Sequence, residues 1–502
     1  MATVQPHRVR PGRGIELGLL ALALAIGIAA YALVGIGVTG EVPADVVGYG
    51  IGMAVLGLGL HVVLRWRAPY ADPVIMPSVI ALNGIGLAMI YRLDLAEDTS
   101  FATRQLGWTA VSVVLAGAVI VLLRDHRTLR RYTYTAMIVG LVLVVLPLVP
   151  GLGAQINGAN IWIRLGPFSL QPAELAKIAL AIFFAGYLVT NRDTLALAGP
   201  KVLGLQLPRI RDLGPIIIAW AASLAVLVSE RDLGTSLLFF GLFVAMLYVA
   251  TERLSWVLIG LSMFVVGAGV AATTFPHVGA RFDVWLNALD SEIYNRFPGG
   301  SGQLVGGLFG LASGGLFGTG WGAGRPDLVP YAESDFIVAS LGEELGLTGV
   351  LAILLVYLVL AERGLRTAIG VRDGFGKLLA GGLAFVVAFQ CFVVVGGITR
   401  IIPLTGLTTP FLAYGGSSLL ANWIIVALLL RISDDARRPA GVVRGPQSGS
   451  PATPPQGSPG PIRVGGSSAP PPRPRSARDT GTPGASDTRP TERIDEMRGD
   501  DA

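Results

Sequence analysis

The chain has 502 residues, of which 52% are hydrophobic and 14% charged, with a formal net charge of +5 at neutral pH. A soluble domain carries about a quarter charged residues, so this composition excludes an ordinary soluble protein and points to a polytopic, all-α membrane protein. The single cysteine, Cys391, rules out an intramolecular disulfide or a cysteine metal cluster, and the four scattered histidines make no zinc pattern. The arginines sit in short loops and a tail, which is not the patch of a nucleic-acid binder.

Residues 1–15 read as a cytoplasmic N-terminus, because Arg8 to Arg13 precede a long apolar run without a convincing cleavage site. Apolar windows of bilayer-crossing length then fall near 16–38, 46–65, 73–91, 105–123, 133–150, 172–190, 214–229, 233–250, 255–275, 335–361, 377–398 and 410–431, twelve in all. The pair flanking Ser229-Glu230-Arg231-Asp232 is short or interrupted and predicts a tightly turned helix pair holding charge near one face. Arginine-bearing loops (Arg65/Arg67, Arg124–Arg131, Arg192–Arg211, Arg253, Arg363–Lys377, Arg431–Arg438) alternate with acidic or polar ones. The excess of positive charge on cytoplasmic loops places both termini inside and the 276–334 loop outside a plasma membrane. The membrane domain is expected over 16–434. Residues 435–502, rich in Pro, Gly, Ser, Thr, Arg and Asp, cannot bury enough apolar surface to offset their ordering entropy and read as a disordered cytoplasmic tail.

Four clusters on the outward side can carry chemistry. The first runs from Gln155 through Arg164 to Gln171-Pro172-Ala173-Glu174-Leu175-Ala176-Lys177, where Pro172 suits a first helical turn and Glu174 and Lys177 share one helix face. These two are either a self-compensating ion pair or part of a functional cavity, which intramembrane charges usually mark. The second is Glu230-Arg231-Asp232-Leu233-Gly234-Thr235, a solvated turn or a cavity lining. The third is the loop from Phe275 to Asp335, long enough to demand a purpose, in which Asp283, Asp290 and Glu292 are candidates for a general base. Within it, Asp283 is expected to pair with Arg281. The fourth, Thr399-Arg400 through Ser417-Ser418, is rich in proline, glycine and hydroxyls; its arginine suits a phosphate.

The strings Gln171–Lys177, Asp335-Phe336-Ile337, Gly342-Glu343-Glu344-Leu345-Gly346-Leu347, Pro403-Leu404-Thr405-Gly406-Leu407 and Tyr414-Gly415-Gly416-Ser417-Ser418-Leu419-Leu420 resemble the SEDS family, the RodA/FtsW group of peptidoglycan polymerases. The likeness covers about residues 75–435, and Arg400–Leu407 and Gly364–Lys377 look most similar to actinobacterial RodA-type members. It implies an inverting glycosyltransferase that polymerises lipid II into glycan strands at the outer membrane face, with a class B penicillin-binding protein as transpeptidase partner and membrane lipids around it. The family's essential loop Asp maps between Asp290 and Glu292, with Asp290 preferred. Arg164 stands in for the basic residue missing at Asn160 in Gly158-Ala159-Asn160-Ile161-Trp162, and Asp232 is kept in Glu230–Thr235. The resemblance leaves a divalent cation open.

Such a reaction needs a base to take the proton from the attacking sugar hydroxyl and cations to meet the charge of a departing diphosphate. Asp290 would supply the first. Arg164, Glu174, Lys177, Asp232, Arg400, Ser417 and Ser418 are the expected substrate-binding set. A lipid II flippase or other transporter, or a non-enzymatic scaffold of cell-wall synthesis, also fits twelve helices and a charged turn.

Overall fold

In a computed structural model, residues 12–439 are described, apart from 157–158, 167, 196–200, 203–204, 207–212 and 298. The tail beyond them, the N-terminal Arg8 and Arg10, and Gly158 of the motif above lie outside the described residues.

Among these residues eleven helices are long and apolar enough to cross a membrane by length and composition. In chain order the helices begin with α1 (Arg13–Thr39), α2 (Val46–Arg67), α3 (Ile75–Glu97), α4 (Phe101–Leu122) and α5 (Thr133–Val145), the last extended at both ends by 3-10 turns. There follow α6 (Pro172–Leu195), α7 (Gly214–Glu230), α8 (Leu233–Thr251), α9 (Leu254–Thr274), α10 (Pro276–Leu286), α11 (Ser291–Tyr294) and α12 (Gly302–Gly314). The last three are α13 (Ile337–Gly370), α14 (Gly374–Ile398) and α15 (Gly416–Arg437). The twelfth expected window, 214–229, forms α7, which at 17 residues is shorter than the other spans. α7 and α8 are separated by Arg231 in the left-handed region (φ 59°) and the extended Asp232, so the expected tight, charged turn is present. The window 335–361 becomes a 34-residue helix broken at Gly346 (φ 69°, ψ −176°). α15 continues to Arg437, past the expected 434 boundary of the membrane domain.

The chain is not purely helical. Strands β1 (Gly153–Ile156), β2 (Ala159–Leu165) and β3 (Phe168–Leu170) form an antiparallel sheet in that order, with Ala154 opposite Trp162 and Arg164 opposite Ser169. A second small hairpin joins β4 (Lys201–Val202) and β5 (Leu205–Gln206). The alternation Ile161, Ile163, Leu165 against Asn160, Trp162, Arg164 is the period-two pattern of a strand.

α15, α14 and α3 are the most enclosed spans, 83%, 72% and 72% buried, against 22% for the span of α5 and 28% for α2 and α9. Apolar burial gains little against lipid, so the helices associate by close packing. α1 meets α3 at Gly27 and Gly84, where a Cβ on either would come within 3.1 or 3.0 Å of the other's Cα.

Polar contacts gather at the two ends of this bundle. At one end Asp72 and Asp434 meet arginines of α15, Asp373 meets His126, and Glu16 meets Arg13 of α1. At the other lie Asp45, Arg92, Asp232, Arg281, Asp335 and Glu344.

Candidate active site at the Asp232 end

Three stretches far apart in sequence converge beside the start of α8. Asp232 caps that helix, accepting from the Thr235 amide at 3.0 Å and its hydroxyl at 2.5 Å. Arg281 on α10 faces both Asp232 and Asp335, and its Nη1 donates to the Leu404 carbonyl at 2.9 Å. Gly406 leaves the gap open: a Cβ there would stand 3.8 Å from Asp335 Oδ2 and 3.9 Å from both Arg281 Nη atoms. Loss of water dominates the electrostatics. It pushes the Asp335 carboxyl up to about 6 against the pull of Arg281, raises Asp232, and lowers the Arg281 guanidinium. Glu230, wholly buried at the end of α7 and coupled to the Asp232 charge, has no hydrogen-bond partner on either oxygen. Buried carboxylates without full compensation are costly and cluster where chemistry is done.

Glu174 and Lys177 lie in a second, closed network. The Lys177 ammonium, 1% exposed, donates to Glu174 Oε2 at 2.5 Å, Gln390 Oε1 at 2.9 Å and Asn422 Oδ1 at 3.1 Å. An ammonium has three donors, and all three are taken. The network continues from Asn422 to the Ser418 hydroxyl at 3.2 Å, which also accepts from Thr408 at 2.9 Å. Of the sequence-predicted set, Glu174, Lys177 and Ser418 therefore stand together, with Ser417 buried next in sequence.

Arg400 clasps the end of α10: its Nε donates to the Trp285 carbonyl at 3.0 Å and its Nη2 to the Leu286 carbonyl at 3.1 Å. These are carbonyls that a helix C-terminus leaves free, and the Trp285 indole returns a bond to the Arg400 carbonyl at 3.0 Å. Arg400 thus fixes the helix that leads to Asp290. Asp290 and Glu292 are exposed, and Asp290 Oδ1 caps the one-turn α11 by accepting from the Glu292 amide at 2.8 Å. Asp283 pairs with Arg296 at 3.5 Å rather than with Arg281, because Arg281 turns inward to Asp232 and Asp335. Arg164 is exposed on β2.

The residues missed from sequence are Arg281 and Asp335. Asp335 stands in one of the family strings, but nothing local announces that it meets an arginine from α10. Among the described residues one triad, His126, Asp373 and Asp435, has ligand atoms close enough for a metal ion. It lies at the opposite end, and Arg127 bridges both carboxylates at 3.1 Å each, so those oxygens already serve an ion pair.

A family model described as "Cell cycle protein", covering FtsW, RodA and SpoVE, matches residues 74–438. The peptidoglycan glycosyltransferase RodA of Mycobacterium tuberculosis is 49% identical over 435 residues, spanning 85% of this chain and 92% of that protein. Stage V sporulation protein E of Bacillus subtilis is 34% identical over 379 residues, 73% of this chain and 98% of that protein. A solved structure described as "Structural coordination of polymerization and crosslinking by a peptidoglycan synthase complex" matches with a TM-score of 0.57 at 25% identity, over 74% of this chain and 99% of that one. A mutant of the rod shape determining protein RodA of Thermus thermophilus matches over the same shares at 25% identity with a TM-score of 0.50.

Proposed function

We infer the chemistry from the family: the chain belongs to the FtsW, RodA and SpoVE group, is similar to actinobacterial RodA, and is a multi-pass membrane peptidoglycan glycosyltransferase. We propose that it polymerises lipid II at the outer face of the plasma membrane, with both termini cytoplasmic and a class B penicillin-binding protein beside it. The observation that carries this is the group of incompletely compensated charges, Glu230, Asp232, Arg281 and Asp335, at one end of a bundle whose other end is paired.

In the proposed reaction an acceptor sugar hydroxyl attacks the anomeric carbon of the donor. The new glycosidic C–O bond forms as the bond to the lipid diphosphate breaks, and the hydroxyl proton passes to the Asp290 carboxylate, with Glu292 the alternative base. The loop offers Asp290 a fixed place: Arg400 holds α10, and the Ser301 hydroxyl donates to the Ala288 carbonyl at 2.6 Å just ahead of it. Arg164 and the donors that Arg400 does not spend on α10 would meet the diphosphate. Lys177 reaches substrate only by exchanging one of its three acceptors, so Glu174, Lys177, Ser417 and Ser418 serve first as the floor of the site. A second reading of the base is Asp335, whose carboxyl at about 6 titrates near the operating pH.

Purified protein given labelled lipid II decides the class. Glycan polymer supports the proposal, lipid translocation without polymer supports a transporter, and neither supports a scaffold. Orientation is tested separately by a membrane-impermeant thiol reagent on intact cells carrying Phe297→Cys in a Cys391→Ser background, since Phe297 is 96% exposed while Ser301 is enclosed. Labelling only after permeabilisation would overturn the outward loop.

A further inference from the structure

The helix pair α1–α2 precedes the family-matched residues 74–438, yet α1 reaches the loop that leads into the site. α1 is fixed first to its neighbours. Tyr31 stacks on Tyr49 and Tyr91 with ring centroids 4.3 and 4.1 Å apart, and its hydroxyl donates to Asp45 at 2.7 Å. The last turn of α1 then meets residues 319–325 backbone to backbone. A Cβ on Gly37 would overlap the Trp321 carbonyl oxygen, and one on Gly322 (φ +80°) would come within 2.8 Å of the Gly37 carbonyl carbon.

On its other side the same segment is held by the first turns of α13. The Thr319 and Gly320 amides donate to the Glu343 and Glu344 carbonyls at 3.0 Å each. The Gly322 amide donates to Glu344 Oε2 at 3.0 Å and the Arg325 amide to Glu343 Oε1 at 2.7 Å. Arg92 of α3 closes the arrangement, donating to the Gly324 carbonyl at 2.7 Å and Glu344 Oε1 at 2.8 Å. Residues 319–325 are therefore pressed between α1 and α13. From there the chain runs through Glu333, whose carbonyl accepts from the Tyr414 amide at 2.7 Å, to Asp335 opposite Arg281.

We propose that α1 is a positioning element of the polymerase: its Gly37 backbone seats residues 319–325 and, through them, fixes Asp335 against Arg281. This rests on the glycosyltransferase reading only for its catalytic readout. A misplaced site costs turnover steeply, since about 1 Å can cost on the order of a hundredfold.

The test compares Gly37→Ala with Gly18→Ala, the latter a position on α1 where a Cβ meets nothing within 4 Å. Full-length proteins are assayed on lipid II for kcat and KM, for melting temperature, and for hydrogen exchange of the Thr319, Gly320, Gly322 and Arg325 amides. Because a Cβ at Gly37 must push backbone aside, Gly37→Ala is expected to melt below Gly18→Ala and, at a temperature where both are folded, to lower kcat per folded molecule about tenfold or more with KM unchanged, while those four amides exchange faster than the rest of the chain. Wild-type kcat per folded molecule, unchanged exchange at the four amides, or faster exchange spread evenly over the helices would each overturn it. Gly322→Ala approaches the same contact from the loop and replaces Gly37→Ala if the latter does not fold; failure of both to fold makes the contact structural and ends the proposal. If the wild-type chain makes no glycan, the functional reading fails and the exchange measurement alone decides whether α1 seats the loop.

Discussion

The two ends of the bundle use charge in opposite ways. At the Asp72 end the buried acids have cationic partners: Asp72 meets Arg437 and Arg363, Asp434 meets Arg431 and Arg438, and Glu16 meets Arg13 and His61, while the half-buried Asp373 meets His126 and Arg127. Backbone amides join in, with the Tyr70 amide donating to Asp434 at 2.9 Å and the Asp72 amide donating to Ser433 Oγ at 3.0 Å. At the Asp232 end Arg281 is shared between two carboxylates, and Glu230 has no hydrogen-bond partner. Fully paired charge holds helices in register and has nothing left to offer a ligand. Charge that is buried but only partly compensated destabilises the fold and persists where it is used.

The largest effect that sharpens this contrast lies on the loop at the Asp232 end. Asp290→Asn is expected to cut lipid II polymerisation by about a hundred- to ten-thousandfold while the protein remains folded, read as labelled glycan per folded molecule. Glu292→Gln and Asp283→Asn should cost far less. A dead Glu292→Gln beside an active Asp290→Asn moves the base two residues, and three active variants send the search to Asp335.

At the paired end the damage should be to stability instead. Asp434→Ala removes the carboxylate that faces the 4%-exposed Arg431, which keeps its bonds to the Arg67 and Arg124 carbonyls, and is expected to destabilise the fold by about 3–5 kcal/mol. Activity per folded molecule should stay unchanged. Loss of turnover without loss of denaturant resistance would break the comparison.

Asp335 gives a smaller, pH-dependent signal. Its carboxyl is raised to about 6 in the folded chain, so the stability it lends is complete below its ordinary value near 4 and is lost as pH rises through about 6. Melting temperature should therefore fall more between pH 4 and 7 for the wild type than for Asp335→Asn; parallel curves would show that the group is not held at that value. The smallest expected effect is none: a chain ending at Arg438 should polymerise lipid II in detergent as fast as the full chain, and a folded but inactive truncation would give the tail a catalytic part.

The spans were legible because lipid imposes a length and an apolar composition that a sequence displays directly. Pro172 opened α6 as its fixed φ suggests, and the charged turn at Arg231-Asp232 followed from the interruption of two apolar runs. The sheet at 153–170 is not among the expected elements: Ile161, Ile163 and Leu165 alternate as a strand should, but the apolar Trp162 between them blurs the period. The spacing of Glu174 and Lys177 gave the ion pair, but not the Gln390 and Asn422 acceptors that complete it, which come from α14 and α15. The expected pairing of Arg281 with Asp283 fails for the same reason. Sequence proximity favours Asp283, whereas the fold delivers Asp232 from the turn before α8 and Asp335 from the turn before α13.

The bond from Arg437 to Asp72 joins residues 365 positions apart, and this imposes a schedule on biogenesis. At ordinary synthesis rates of roughly 5–20 residues per second, Asp72 waits roughly 20 to 70 s for Arg437. Tyr70 and Asp72 wait as long for Asp434 and Ser433. During that interval the helices made first stand with one end unlatched, and only the arrival of α15 closes the ring. A nascent chain stalled before α15 should therefore be far more open to membrane proteases than one stalled just after it, which makes the last helix the step that commits the whole molecule to its native state.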